Sequence, residues 1–556
     1  MSRKVIDHLR RRHAAETTDL QPGAGGRLAV ALVYPNTYHQ AMSNLGFLSV
    51  HRWFNLQDGV RCERFVLPDP DDVAEHQRSG TPMLSIESQR PLHEFDLIAF
   101  SLSFENDYLH LPLLFELGRL PYKVADRDGR SPLTLAGGVC AFLNPEPFAE
   151  LFDLVAVGEA EAILPQLLPS LLEDAGRTDA NLRHLATLPG IYVPSLPPSD
   201  PVQRQWLADL DLADCRSFIT TPDTEFGDMA LTEVSRGCAR GCRFCAAGYI
   251  YRPPRERSLD AVLRQVDVGL CQHTRQGLVS AAIGDYPHRD ALQQAILDRG
   301  GSVSVASLRM DTLTAVDVAV LKESGHKTVA LAPEAGSQRL RDAINKQVDT
   351  PQILRAVSLL AAGSIPNLKL YVLIGLPGET VADHEELLVL VEQIRNIWLE
   401  AGRARGRLGQ IHLSVNPFVP KPFTPLQWAP MATESELKAV SRRLRTAIGR
   451  MPNVTISFES PRAALLQGLL SRGDRRLAAI LPELAAGERY PFVCRRHDID
   501  AEAILHRPYT QHEPLPWESI DIGVERDWLW QEYQNYRIGT LTPPCVAGCT
   551  RCGTCV

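Results

Sequence analysis

One alternation dominates this sequence: a short apolar run ended by Ser, Gly or Glu, a stretch of helical period, then another apolar run. Runs of this kind read as strands buried in a parallel sheet, with the helices as crossovers. The alternation comes in two series. The first is "LAVALVYP" (28–35), "VRCERFVLP", "FDLIAFSLS", "SPLTLAGGVC" and "FDLVAVGEAE". Its five strands predict an open, doubly wound sheet of Rossmann or flavodoxin type. The second begins at 231 with "LTEVS", "LVSAAIG", "GSVSVASLRMD", "KTVALAPEAGS", "NLKLYVLIGLPGET" and "QIHLSVNPFVPKP". Six strand–helix units predict a partial (β/α)6 barrel, right-handed at every crossover. The expected layout is an α/β chain: an extension over 1–25, a doubly wound domain over 26–195, a Pro-rich linker over 196–228, a barrel over 229–455 and a mixed C-terminal region over 456–556.

Parallel barrels place their sites at the carboxyl ends of the strands. Directly after the first barrel strand stands "SRGCARGCRFCAAG", with Cys238, Cys242 and Cys245. The glycines between them let the backbone turn tightly enough to aim three thiols at one point. Three thiolates imply a metal centre with one position open. Zinc prefers four closed ligands, usually as two separated pairs, and fits a three-cysteine run without a nearby histidine poorly.

This loop resembles the signature of the radical S-adenosylmethionine (radical SAM) superfamily. The resemblance implies that the three thiolates hold a 4Fe–4S cluster whose free iron chelates the amino and carboxylate groups of S-adenosylmethionine. Reductive cleavage then gives a 5′-deoxyadenosyl radical that abstracts hydrogen, while the protein excludes water. Gly284 and Asp285 in "AAIGDYP" stand where the family has a glycine-rich acidic turn for the methionine amino group, although a second Gly and a Glu are missing. Glu334, Ser337, Arg339 and Arg341 in "APEAGSQRLR" are candidates for ribose and carboxylate, and Gly375 and Gly378 in "LIGLPGET" for the turn beside adenine. Ser337 and Gly378 fit a helix cap or a turn equally well.

The first series, in "GGVCAFLNPEPFAELFDLVAVGEAE", resembles the cobalamin-binding-like domain that precedes many radical SAM barrels. That resemblance makes Gly137, Gly138 and Gly158 candidates for admitting a nucleotide tail, and Ser101 and Ser103 candidates for its phosphate. The first loop lacks an Asp-x-His-x-x-Gly ligand motif, and His39 there reads as a hydrogen-bonding loop residue. Relatives exist with and without cobalamin, so its binding stays open.

At the chain end, Cys545, Cys549, Cys552 and Cys555 put four thiols into eleven residues. A second iron–sulfur cluster is the first reading of them, with structural zinc or unliganded thiols as alternatives. Trp517, Trp528, Trp530 and Tyr533 just before the tail offer large surfaces for docking it.

A net charge of −8 leaves no global footprint for nucleic acid. No apolar run approaches the roughly 20 residues of a membrane span. The basic start, "MSRKVIDHLRRRH", lacks a signal-peptide core and reads as a solvated, frayed helix. Twelve cysteines in such a chain argue for reduced thiols and a cytoplasmic location. The resemblance further implies a low-potential donor such as ferredoxin or flavodoxin, with methyl transfer as the subclass if cobalamin binds. The competing readings are a methylthio-transfer or sulfur-insertion enzyme that uses the tail cluster, and a non-enzymatic iron–sulfur redox sensor. The substrate is not legible.

Overall fold

The computed structural model describes residues 1–20, 26–196, 198–305, 308–546 and 548–554. The chain forms two compact units: one of residues 1–228, 470–501 and 514–523, the other of 229–469, 502–513 and 524–556.

In the first unit a six-stranded sheet carries β1 (Leu28–Tyr34), β2 (Val60–Val66), β3 (Leu97–Ser101), β4 (Leu133–Gly137), β5 (Leu154–Ala156) and β6 (Ile191–Tyr192). Their order is β2-β1-β3-β4-β5-β6. The first five strands are parallel, and β6 runs antiparallel at the edge. Placing the first strand between the second and third creates the switch point at which doubly wound sheets open a crevice. Val30, Leu97, Leu133 and Leu154 are fully buried, as strands covered on both faces require.

The N-terminal helix α1 (Arg3–Ala14) is docked rather than frayed, which corrects the expectation for the basic start "MSRKVIDHLRRRH". Val5 is buried, Ser2 bonds Thr81 and Glu75, and His8 and Arg12 pair with Asp72 and Asp69. Thr17–Thr18 then pair antiparallel with Ile219–Thr220. The expected linker over 196–228 is also part of this unit. Val202–Gln203 pair with Ile520–Asp521, and Asn144 reaches the carbonyls of Ser471 and Gly473. The region 456–556 is therefore not one body. The helix Leu477–Ala485 buries Leu477, Ile480 and Leu481 in the first unit, which draws the chain back there.

The second unit holds seven parallel barrel strands: β7 (Met229–Glu233), β8 (Arg275–Val279), β9 (Ser302–Val305), β10 (Thr328–Glu334), β11 (Asn367–Ile374), β12 (Gln410–Pro417) and β13 (Val454–Phe458). They run in chain order as sheets of three and four strands, joined by one bridge between Leu308 and Leu331. Six match the second sequence series; β13 is a seventh, short and with exposed alternate residues. Helices such as α2 (Leu259–Leu270), α3 (Thr350–Ala362), α4 (Val381–Ala404) and α5 (Glu434–Ile448) cover the outside. The last three each begin with a capping box, at Asp349, Thr380 and Thr433, which satisfies free backbone N–H groups.

Burial along β11 and β12 alternates strictly. Leu368, Leu370, Val372, Leu413 and Val415 are buried under the helices, whereas Lys369, Tyr371, His412, Ser414 and Asn416 on the opposite face are half-buried. A partial barrel is not filled by its own side chains, so its inner face stays accessible and polar.

Candidate functional site

Leaving β7, the chain forms a loop closed by antiparallel pairing of Ser235–Arg236 with Arg255–Glu256. Inside it the backbone N–H of Cys245 donates to the Cys242 carbonyl at 3.1 Å, and Tyr249 donates its hydroxyl to the Gly241 carbonyl at 3.0 Å. Arg243 is fully buried and ties the loop down. Its side chain donates to the Ala343 carbonyl at 2.7 Å and to Glu532 at 3.0 Å, and its backbone N–H donates to the Ile344 carbonyl. Cys242 is buried; Cys238 and Cys245 are partly so.

Burial, and next the neighbouring thiols Cys242 and Cys238, push the Cys245 thiol up to about 12. Burial also raises Cys238. These thiols become thiolates only against positive charge, which the irons of a cluster supply. Among the described residues, only His8, Asp69 and Asp72 bring three ligand atoms within 4.8 Å of one another. At least one pair of this loop's sulfurs is therefore more than 4.8 Å apart, beyond the ~3.8 Å spacing that tetrahedral thiolates take around one zinc ion. The donor set fits a multi-iron cluster.

Around the loop lies a ring of paired charges at the strand ends. Arg240, between Cys238 and Cys242, donates to Asp285 at 2.8 Å and reaches Asp311 at 3.2 Å. Arg309 pairs with the same Asp311 at 3.0 Å and donates to the Lys346 carbonyl. The buried Lys346 ammonium pairs with Glu334 at 3.0 Å, and its charge is favoured further by Cys242. Glu334 has a left-handed backbone, φ 64°, at a register shift ending β10. Gly284 and Asp285 sit in the short turn after β8, where Gly284 packs against Thr312. Asp285 and Glu334 are therefore each tied to the cysteine loop or its neighbour Lys346. Arg240, Arg309, Asp311 and Lys346 escaped the sequence reading, although "CARGC" and "SLRMD" place three of them at a strand end or in the loop.

The other barrel candidates form a separate group. Ser337 is fully buried, accepts from the Leu340 N–H as cap of the short helix Gln338–Ala343, and donates to Asp383. Arg339 donates to Asp383 and to the Gly378 carbonyl at 3.0 Å. Arg341 is fully buried and donates to the Ala335, Gly336 and Val348 carbonyls. Gly375 donates its N–H to Glu379. Gly375 and Gly378 line a cavity of about 570 Å³ together with Glu379, His384, Glu436 and Arg443.

In the first unit, Gly137 and Ser101 end paired strands, and the Ser103 hydroxyl accepts from Asn44 at 3.3 Å. Gly138 has φ 92°, and a Cβ there would meet the Leu102 backbone at 2.6 Å. Gly158 has φ 134°, and a Cβ would lie 2.0 Å from the Gln205 carbonyl oxygen. The chain's own backbone thus accounts for both glycines. His39 pairs with Asp223 at 3.2 Å.

The described residues of the tail belong to the second unit. Cys545 donates its N–H to the Ala239 carbonyl at 2.7 Å, and Cys552 is fully buried. Cys555 lies outside the described residues. Of the aromatics, Trp530 and Tyr533 pack on Trp428, and Trp528 lies against Tyr249. Trp517 belongs to the first unit.

Residues 46–194 match the family model described as "Radical SAM proteins, N-terminal", and residues 232–391 match "Radical SAM superfamily". The uncharacterized protein MJ0966 of Methanocaldococcus jannaschii is 28% identical over 460 residues, 81% of this chain and 90% of that protein. The anaerobic magnesium-protoporphyrin IX monomethyl ester cyclase of Rubrivivax gelatinosus is 24% identical over 46% of this chain and 48% of its own length. The solved radical S-adenosylmethionine methyltransferase TsrM of Kitasatospora setae, with cobalamin and a 4Fe–4S cluster bound, gives a TM-score of 0.48 at 14% identity, covering 92% of this chain and 99% of that one. Among the described residues no helix is long and apolar enough to cross a membrane.

Proposed function

Because this chain belongs to the radical S-adenosylmethionine superfamily, we propose that Cys238, Cys242 and Cys245 hold a site-differentiated 4Fe–4S cluster and that the rim beside them binds S-adenosylmethionine for hydrogen abstraction from a polar substrate. The observation that carries this reading is the buried three-thiol loop at the carboxyl end of β7, tied by Arg240 to Asp285. When bound, the cluster and S-adenosylmethionine supply reductive cleavage of the sulfonium C–S bond and a 5′-deoxyadenosyl radical.

The chain's own residues do the rest. Asp285 offers a half-buried carboxylate to the methionine amino group. Arg240 and Lys346 hold Asp285 and Glu334 oriented beside the loop. Gly375 and Gly378 leave the cavity between α4 and α5 open beside their turn, the place for adenine. Lys369, Tyr371, His412, Ser414 and Asn416 on the inner barrel face present polar groups to a substrate. His412 is fixed there by Thr455 and Ser457, both at 2.9 Å. Methyl transfer through cobalamin is the finer form of the proposal. With Gly138 and Gly158 already packed on backbone, Ser101, Ser103 and Gly137 remain the residues to receive a nucleotide tail. Retention of cobalt through gel filtration under reducing, anaerobic conditions tests that form.

The main reading is tested by reconstituting the full chain anaerobically with iron and sulfide, then adding S-adenosylmethionine and dithionite. Methionine and 5′-deoxyadenosine are expected in equal amounts. A protein that carries the cluster spectrum yet yields neither product overturns the proposal.

A further inference from the structure

We propose that Cys545, Cys549 and Cys552 hold a second iron–sulfur cluster packed against the three-cysteine loop, and that it relays electrons to the cluster on that loop. The relay rests on the reading of Cys238, Cys242 and Cys245 given above, whereas iron in the tail is measurable independently of it.

The tail repeats the loop. Cys545-x3-Cys549-x2-Cys552 has the spacing of Cys238-x3-Cys242-x2-Cys245, and a glycine with left-handed backbone precedes the middle cysteine in both, Gly241 at φ 69° and Gly548 at φ 76°. A left-handed glycine just before the middle cysteine lets each segment turn tightly at that point. The sequence adds Cys555 to the tail. Four thiolates close a cluster and suit it to electron transfer, whereas three leave an iron free for a ligand.

The surroundings fit an anionic centre, with Cys552 buried and Cys545 and Cys549 half-buried. Arg252 lies over the rings of Tyr249 at 5.0 Å and Trp528 at 4.7 Å. It donates a hydrogen bond to the Cys552 thiol, and Cys545 is close enough to favour its charge. Arg551 donates to the Cys549 sulfur at 3.1 Å and to the Pro544 carbonyl at 2.8 Å. Cys545 and Cys549 are within hydrogen-bonding reach of each other. Two guanidiniums beside the three thiols give the positive environment that stabilises thiolate ligands.

The stretch leading into the tail cysteines is held by a network of hydrogen bonds. Here Thr542 accepts at its carbonyl from Asn345 and Gln347, its N–H donates to Asn345, and its hydroxyl bonds Glu532. Asn345 also donates to the Gly241 carbonyl inside the first loop. The Glu525 N–H donates to the Cys552 carbonyl at 3.0 Å. Most telling is the 2.7 Å bond from the Cys545 N–H to the Ala239 carbonyl. Cys238 and Cys545 are thereby joined through one peptide unit and one hydrogen bond, a short path for an electron.

In the relay a low-potential one-electron donor, a reduced flavin or iron–sulfur protein, loses one electron and the tail cluster gains it. The tail cluster returns to its starting state when the same electron moves to the cluster on the first loop. No bond forms or breaks in the relay and no proton moves.

The experiment compares the full chain, anaerobically reconstituted with iron and sulfide, with C545A/C549A/C552A, its serine counterpart C545S/C549S/C552S, and C238A/C242A/C245A. The wild type should carry about eight irons and each triple variant about four, as two cubanes require. Electron paramagnetic resonance of the reduced wild type should show spin coupling between the two centres, and each variant a single uncoupled signal. Reduction of the first-loop cluster by reduced flavodoxin should slow roughly tenfold or more in both tail variants, the factor that about 1.4 kcal/mol of barrier makes. Loss of one zinc with iron unchanged overturns the second cluster. Loss of four irons without any change in coupling or reduction rate overturns the relay. Four irons retained by C238A/C242A/C245A uphold the tail site even where the wild type fails to cleave S-adenosylmethionine, so the two readings fail separately.

Discussion

At the carboxyl edge of the second unit's strands, Asp285, Asp311 and Glu334 each face an arginine or lysine beside three thiols, whereas at the same edge of the first unit Gly138 and Gly158 lie against the chain's own backbone. Asp107, near that first edge, has only the Asn36 amide at 2.8 Å and His110 at 4.0 Å. Partly buried ion pairs roughly break even between desolvation and attraction, so such a ring is weak evidence for stability. Its concentration around a cysteine loop marks it as a place where charge is to be handled. Both are carboxyl edges of parallel strands and they differ in what the loops do: one pairs acidic with basic side chains beside the thiols, the other closes over its own backbone.

The sharpest way to break that comparison is Gly158→Ala. The new methyl group would meet the Gln205 carbonyl oxygen at 2.0 Å in a backbone conformation that L residues rarely adopt. The first unit should lose at least about 3 kcal/mol, read as a lower midpoint in urea, because strain and clash add. An unchanged midpoint would mean that the edge has room to open, and with it room for a nucleotide tail.

Asp107 gives the next largest effect. Burial, ahead of all other causes, pushes its carboxyl up to about 6. The folded state therefore holds this proton more tightly than the unfolded chain. The contribution is complete below the unfolded value near 4 and is lost as pH rises through about 6. Asp107→Asn should flatten the stability profile in that window and raise stability at pH 7 by up to about 3 kcal/mol. A variant with the wild-type slope would remove Asp107 from the contrast.

On the other edge, Asp285→Asn keeps shape and removes the charge facing Arg240. Apparent affinity for S-adenosylmethionine should fall about 10- to 100-fold, the usual range for residues that orient a metal-site ligand. Circular dichroism and iron content should stay as in the wild type. Unaltered affinity would make the ring a structural ion-pair network.

What the sequence made legible follows chain distance. The cysteine loop and the barrel strands are local patterns, and five of the six strands lie largely within the runs that announce them, whereas β8 shares only Leu278 and Val279 with "LVSAAIG". Arg240 was missed because its partners lie 45 and 71 residues away. The docking of α1 depends on Asp69, Asp72 and Thr81, up to 79 residues distant, so its basic face alone suggested solvent. The return of 470–501 and 514–523 to the first unit is likewise a long-range event without a local mark. Gly158 was seen, but Gln205 as the backbone it accommodates was not, because loop-to-loop packing leaves no periodicity to read. β13 was missed for the opposite reason: "VTISF" is local but too exposed on one face to stand out.

The central claim is that chemistry belongs to the barrel edge through Cys238, Cys242 and Cys245. The measurement that tests it most directly is 5′-deoxyadenosine formed per chain by wild type and by C238A/C242A/C245A, each reconstituted anaerobically and given S-adenosylmethionine and dithionite. The account predicts a fall of at least about a thousandfold, roughly 4 kcal/mol of transition-state stabilisation, with the triple variant still folded. Product formed by that variant at a rate near the wild type's would contradict it.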